Sequence, residues 1–177
     1  MTAPTRLTPQ DRISAGLSAL KTSGPAALKA EPLARALNTT KGSFYWHFRD
    51  VPAFQQQMLT HWEEAALTGL IAEIEGQASP HKALQKFVHL VADPDDTTAA
   101  IRAWAHSDPS VVQALADIDR ARQKYLAALL KRAGVSNPDI AKALYSAAIG
   151  AQILPQTEDS ATRASLDTLI DLILALR

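Results

Sequence analysis

The chain has 177 residues, 47% of them hydrophobic and 20% charged, with no cysteine and a formal net charge of zero. These are the proportions of an ordinary globular protein, and the missing cysteines exclude disulfide scaffolds, thiolate zinc sites and cysteine nucleophiles. The opening residues MTAPTRLTPQDR lack the apolar core of a signal peptide, and no apolar run approaches the ~18 residues that span a bilayer, so a cytoplasmic protein is expected.

The zero balance hides an asymmetry. Residues 1–50 hold seven Lys/Arg against three Asp/Glu, and the remainder eleven against fifteen. A basic head on an acidic body suits a polyanionic partner for the head.

The apolar spacing is helical throughout, no segment alternates with period two, and the start signals are legible. Thr8-Pro9 opens a first helix, about 9–22, with Ile13, Leu17 and Leu20 on one face; Ser23-Gly24-Pro25 ends it. Two short helices follow, 29–37 and 40–47. Asp50 and Pro52 open a long one, 51–75, stopped at Gly76. Ser79-Pro80 starts 80–92, ended by Asp93-Pro94, and Asp95 or Asp96 caps 96–106. Asp108-Pro109 starts 109–133, with Val111, Leu115, Ile118, Tyr125 and Leu129 along one stripe and Gly134 as its stop. Asn137-Pro138 starts 138–154, stopped at Pro155, and Ser160 caps 160–176. The expected fold is all-α: a three-helix helix-turn-helix head and a six-helix body, divided as 1–50 and 51–177.

The segment TTKGSFYWHF, Thr39 to Phe48, concentrates four of the ten aromatic residues behind a Lys-Gly-Ser that weakens a helix. Only Asn38 and Thr39 separate it from the preceding helix, which is helix-turn-helix spacing. Thr40 can cap the second helix, leaving Lys41, Gly42 and Ser43 in its first turn, where small residues let a backbone approach a groove. Phe44 and Phe48, four apart, point inward beside Leu33 and Leu37. Tyr45 and His47 fall elsewhere and can donate to phosphate; Trp46 suits either face. The plainer alternative is a small helical core with an aromatic cluster and no nucleic-acid contact.

The stretch LARALNTTKGSFYWHFRD resembles the helix-turn-helix signature of TetR-family transcriptional regulators: Leu-Ala, a turn, Lys-Gly-Ser and Phe-Tyr-x-His-Phe. The segment Ile101–Leu126 also resembles the ligand-core segment of one branch of that family. The resemblance implies a DNA-binding head, a ligand-binding and dimerising body, and double-stranded DNA, a second copy of the chain and a small-molecule effector as partners. It implies that Lys41, Gly42 and Ser43 face the major groove, with phosphate contacts from Lys29 or Ala30, Thr40, Tyr45 and His47. Glu31, Val51 and Asn38 depart from the family pattern: they stand where relatives often carry a DNA-compatible residue, a lysine and a glycine.

In the body, Ile140, Leu144, Ala147, Ala151 and Leu154, with Leu166, Leu169, Ile170 and Ile173, suit a four-helix dimer interface. A monomer core is the alternative. Trp62, His89, Trp104, His106, Arg122 and Tyr125 are candidates for an effector pocket, although each is equally a core or surface residue at helical spacing. Arg122 suits an anionic ligand or an ion pair with Asp119. His81, Gln85 and His89 share a helix face but lack the further ligands that zinc needs, and no Gly-rich phosphate loop or catalytic triad is recognisable. No cofactor, metal or enzymatic activity is therefore expected. A ligand-released repressor on a palindromic operator is the first reading. A helical small-molecule-binding protein with weak or lost DNA affinity is the second, and a helical enzyme the third.

Overall fold

The computed structural model describes residues 8–37, 39–154 and 159–175. Among them the secondary structure is helical, with nine α-helices: α1 (Pro9–Ser23), α2 (Ala30–Ala36), α3 (Lys41–His47), α4 (Val51–Ile74), α5 (Pro80–Ala92), α6 (Asp96–Ala105), α7 (Pro109–Arg132), α8 (Pro138–Ala151) and α9 (Asp159–Ala175). Asn38, Pro155 and Leu176, and the cap expected at Ser160, lie outside the described residues and side chains. No helix among the described residues is long and apolar enough to cross a membrane.

The caps explain why the boundaries fall where the sequence places them. Thr8 and Asp11 form a reciprocal capping box, with Thr8 Oγ1 accepting from the Asp11 N–H and Asp11 Oδ2 accepting from the Thr8 N–H. Thr40, Ser79 and Asn137 accept from backbone N–H groups in the first turns of α3, α5 and α8. Asp50 does the same for Ala53 in α4. Two details differ from expectation. A 3-10 turn, Pro25–Ala27, follows α1, because Gly24 at φ 70° closes the helix onto Leu20 and Pro25 then fixes the next φ. Helix α8 ends at Ala151 and not at 154, because the N–H groups of Gln152 and Ile153 tighten onto the carbonyls three residues back.

By internal contacts the chain divides into two units. The first comprises residues 1–65 and 95–115, the second 66–94 and 116–177. The head and body boundary expected at residue 50 lies inside the first unit, whose helices α1 and α6 pack together.

The first unit is built on large side chains. Phe44, Phe48, Phe54, Met58, Leu20, Leu28 and Leu33 are all essentially inaccessible. Gly16 permits close approach of α1 to α4, since a Cβ there would lie 2.5 Å from Phe54 Cζ and 2.9 Å from Met58 Sδ. A polar relay crosses the same core. The buried Trp62 Nε1–H donates to Thr98 Oγ1 at 3.2 Å, and Thr98 Oγ1–H donates to Asp95 Oδ2 at 2.8 Å. Burial pushes the Asp95 carboxyl up, but donation from the Thr98 side chain and from the Thr98 and Thr97 backbones outweighs it and holds the group below its ordinary value.

The second unit centres on α5, which packs against α8 and α9. Leu84, Phe87, Val88, Leu126, Leu144, Ala148 and Ile170 are fully enclosed. Polar clips surround this core: Gln152 donates to the Val91 carbonyl, and Tyr145 Oη–H donates to Asp119 Oδ1 at 2.7 Å. His81 and His89 on α5 face Asp171 and Asp167 on α9 at 3.0 and 2.9 Å.

Gly16→Ala tests the close approach. Helix propensity alone favours alanine by about 1 kcal/mol, yet the clash with a packed ring is expected to win, lowering stability by roughly 1–3 kcal/mol in a denaturant melt. Asp95→Ala removes a cap and an acceptor, and is expected to cost about 1–2 kcal/mol near pH 7. Because the folded carboxyl titrates below the unfolded one, its contribution is present above the unfolded value, ~3.9, and is lost as pH falls. The gap in Tm between wild type and variant should therefore close in melts taken at progressively lower pH.

Candidate nucleic-acid interface

Helix α3 is seven residues long, too short to hold itself, and its inner face is fixed by aromatic packing. The Phe44 and Phe48 rings lie 5.3 Å apart, and Phe54 from α4 closes the triangle at 5.4 and 4.9 Å. The two pairs with Phe54 are edge-to-face, at 66° and 74°, and that geometry contributes beyond simple burial. Phe44 and Phe48 are thus inward, as their spacing predicts.

The opposite face is open. Thr40, Lys41 and Gly42 are exposed, Ser43 and His47 are half-buried, and Tyr45 and Trp46 are 45% and 77% exposed. Thr40 Oγ1 accepts from the Ser43 N–H at 3.1 Å, fixing the first turn. A Cβ added at Gly42 would meet only Thr40 Oγ1, at 3.8 Å, so nothing inside the chain requires glycine there.

Beside α3 runs an open groove of about 520 Å3, lined by Lys29, Ala30, Glu31, Pro32, Arg35, Lys41, Tyr45 and Val51. It unites Lys29, Lys41 and Tyr45, all expected from the sequence. Glu31 stands in the same groove, but its carboxylate is matched by Arg35 one turn later at 3.1 Å. That i, i+4 pair is exposed on both sides and contributes little to stability. Its effect is on the field of the groove, where two cations remain beyond the pair.

Two arginines were missed by sequence reasoning. Arg35 needed only the helical spacing from Glu31. Arg12 is 3% exposed and its Nη2 donates to Ser43 Oγ at 3.0 Å. Its signal was the spacing Arg12, Gly16, Leu20, a charge placed in register with a buried face.

No family model matches the chain, and no curated protein matches it significantly. Solved structures do match. A transcriptional regulator from Rhodococcus sp. Rha1 superposes with a TM-score of 0.75 at 19% identity, over 96% of this chain and 97% of its own. A Rhodococcus sp. protein assigned to the TetR family of transcriptional regulators gives 0.74 at 17% identity, over 94% and 98%. The chain has the TetR-family fold. A Saccharomonospora viridis protein assigned as a transcriptional regulator, solved in complex with choline, gives 0.76 at 14% identity, over 92% and 95%.

The six effector candidates are dispersed in this TetR fold. In the first unit, Trp62 is core, 3% exposed with its N–H satisfied by Thr98, and Trp104 is also 3% exposed. His106 is an exposed C-cap whose Nδ1 lies 3.0 Å from the Arg102 carbonyl. In the second unit, His89 is taken by Asp167. Tyr125 edges a depression of about 250 Å3 that also contains Glu75 and Arg132; burial, then the Glu75 charge, raises its phenol. Arg122 is 6% exposed and reaches the Ala66 carbonyl at 3.5 Å, with Nε buried and without a hydrogen-bond partner among the described residues. Asp119 accepts from Tyr145. No group of three potential metal ligands occurs among the described residues.

The dimer candidates divide. Leu144, Ala151, Leu166, Ile170 and Ile173 are buried in the chain's own core, at 0–8% exposure. The reason is that α8 and α9 spend one apolar face on α5. Ile140, Ala147 and Leu169 are half-buried and Leu154 is 66% exposed; Ile153 and Leu172, at 79% and 60%, join them as apolar surface.

Glu31→Gln is expected to free Arg35 and strengthen binding of duplex DNA several-fold, adding about one ion to the salt dependence. Anisotropy titrations over a salt series would measure it; unchanged affinity and slope would mean that the groove does not meet phosphate.

Proposed function

We propose that the chain is a TetR-family DNA-binding transcriptional regulator, acting in the cytoplasm as a homodimer that a small molecule releases from a palindromic operator. One observation carries the reading: α3 hides two phenylalanines and presents Lys41, Gly42 and Ser43 on an open edge beside a groove with Lys29, Lys41 and Tyr45. An edge of small and donor residues on a short, rigidly backed helix suits the major groove, and the flanking cations suit phosphate. Gly42 is consistent with it, since nothing inside the chain requires glycine there and a bare backbone can approach a groove closely.

A single such head reads only a few base pairs, so specificity requires two. The apolar surface at Ile153, Leu154, Leu169 and Leu172 is the proposed meeting face. Coupling to an effector is assigned to α4, whose 24 residues contribute to both units. An effector acts only through differential affinity for the DNA-competent and released states. The choline in the Saccharomonospora viridis structure is that protein's ligand and supports only the general idea of a small-molecule site. A second reading, a small-molecule-binding protein with lost DNA affinity, is favoured by the Glu31 carboxylate in the groove.

Fluorescence anisotropy with the DNA upstream of the chain's own gene, against scrambled duplex, tests the proposal. Selective binding that falls steeply with salt and is lost in Lys41→Ala and Tyr45→Ala is expected. Gly42→Ala separates function from folding: it should leave stability unchanged or raise it by up to about 1 kcal/mol while weakening DNA binding tenfold or more. Weak binding that ignores sequence and is indifferent to all three substitutions would favour the second reading.

A further inference from the structure

Arg12 sits in the first turn of α1, 3% exposed, with Nη2 donating to Ser43 Oγ at 3.0 Å and with Nε and Nη1 buried without hydrogen-bond partners among the described residues. A buried guanidinium satisfied by one hydroxyl is a poor stabiliser, and an apolar side chain would fill the space without the desolvation cost. What the arrangement does do is fix that hydroxyl.

Ser43 is held from two directions. Its N–H donates to the Thr40 cap, and its Oγ accepts from Arg12. A serine hydroxyl has one proton and two lone pairs, whereas a guanidinium has donors only. Arg12 can therefore engage only a lone pair, which leaves the Ser43 proton directed away from the cation. An oxygen that accepts from a charged donor also becomes a stronger donor through its own proton.

We infer that Arg12 is a positioning residue that makes Ser43 a dedicated hydrogen-bond donor on the open edge of α3, selecting an acceptor on DNA. The inference rests on the DNA-binding reading above. The acceptor is a purine N7 or O6, a thymine O4 or a phosphate oxygen; the amino groups of adenine and cytosine are disfavoured because they only donate.

The test selects duplexes from a random pool with the wild type, Ser43→Ala, Arg12→Met and the double variant, then measures anisotropy on the wild type's selected duplex, with circular-dichroism melts for each. Each single variant is expected to weaken binding about tenfold, and the double no further than the weaker-binding single. If the acceptor is a base, both singles erase the same base preference, which a merely structural role would not do. If it is a phosphate, base preference survives and one methylphosphonate reproduces the loss in the wild type but not in Ser43→Ala. Effects that multiply, or either single variant with wild-type affinity, overturn the inference. Should Arg12→Met fail to fold, Arg12→Lys, a point donor in place of a fork, enters the same cycle, and independence from Ser43→Ala overturns the inference equally. A wild type that enriches no sequence overturns the DNA-binding reading itself; one that does, with the two positions independent, overturns this inference alone.

Discussion

A seven-residue helix has too few internal hydrogen bonds to offset the cost of its own nucleation, so α3 exists only as far as something holds its inner face. Phe44 and Phe48 meet Phe54 there, three rings within 5.4 Å of one another. The consequence is a division of labour within about two turns of helix. Apolar bulk supplies the position, and the residues left over are free to be small or polar. Gly16 extends the same constraint backwards, because the Phe54 ring occupies the space in which a side chain at position 16 would sit.

What was legible in the sequence was whatever is local. Threonine, serine, aspartate and asparagine before proline mark helix starts because the cap bond and the fixed φ act within a few residues. Phe44 and Phe48 could be assigned inward because four residues make one turn. The spacing of Arg12 marks a buried face but not its contact: the partner Ser43 is 31 residues away, and no local rule says which neighbour covers a charge. The same limit explains the body. Periodicity shows that Leu144 and Ile170 belong to apolar faces, but not that both are buried within the chain and that α5 packs on their helices. The Trp62 side chain was ambiguous until Thr98, 36 residues on, supplied an acceptor.

Buried polar atoms in the first unit divide into two kinds. The Trp62, Thr98 and Asp95 relay is satisfied link by link and ends at a helix cap, so it ties core to surface without leaving a charge inside. The Arg12 contact leaves two nitrogens without hydrogen-bond partners among the described residues. A satisfied network rigidifies and a half-satisfied one costs stability. The poorly satisfied member is also the one that touches the open edge of α3.

The three tryptophans occupy contrasting environments: Trp62 and Trp104 are 3% exposed, and Trp46 is 77% exposed on α3. An indole in water emits at longer wavelength than one in a protein interior, so the emission of the folded chain is a composite of two blue components and one red. The red component comes from the face proposed to meet DNA and the blue components from the packed interior of the same unit. Excitation of a single native protein, without any attached dye, thus reports separately on contact at α3 and on the integrity of the core behind it.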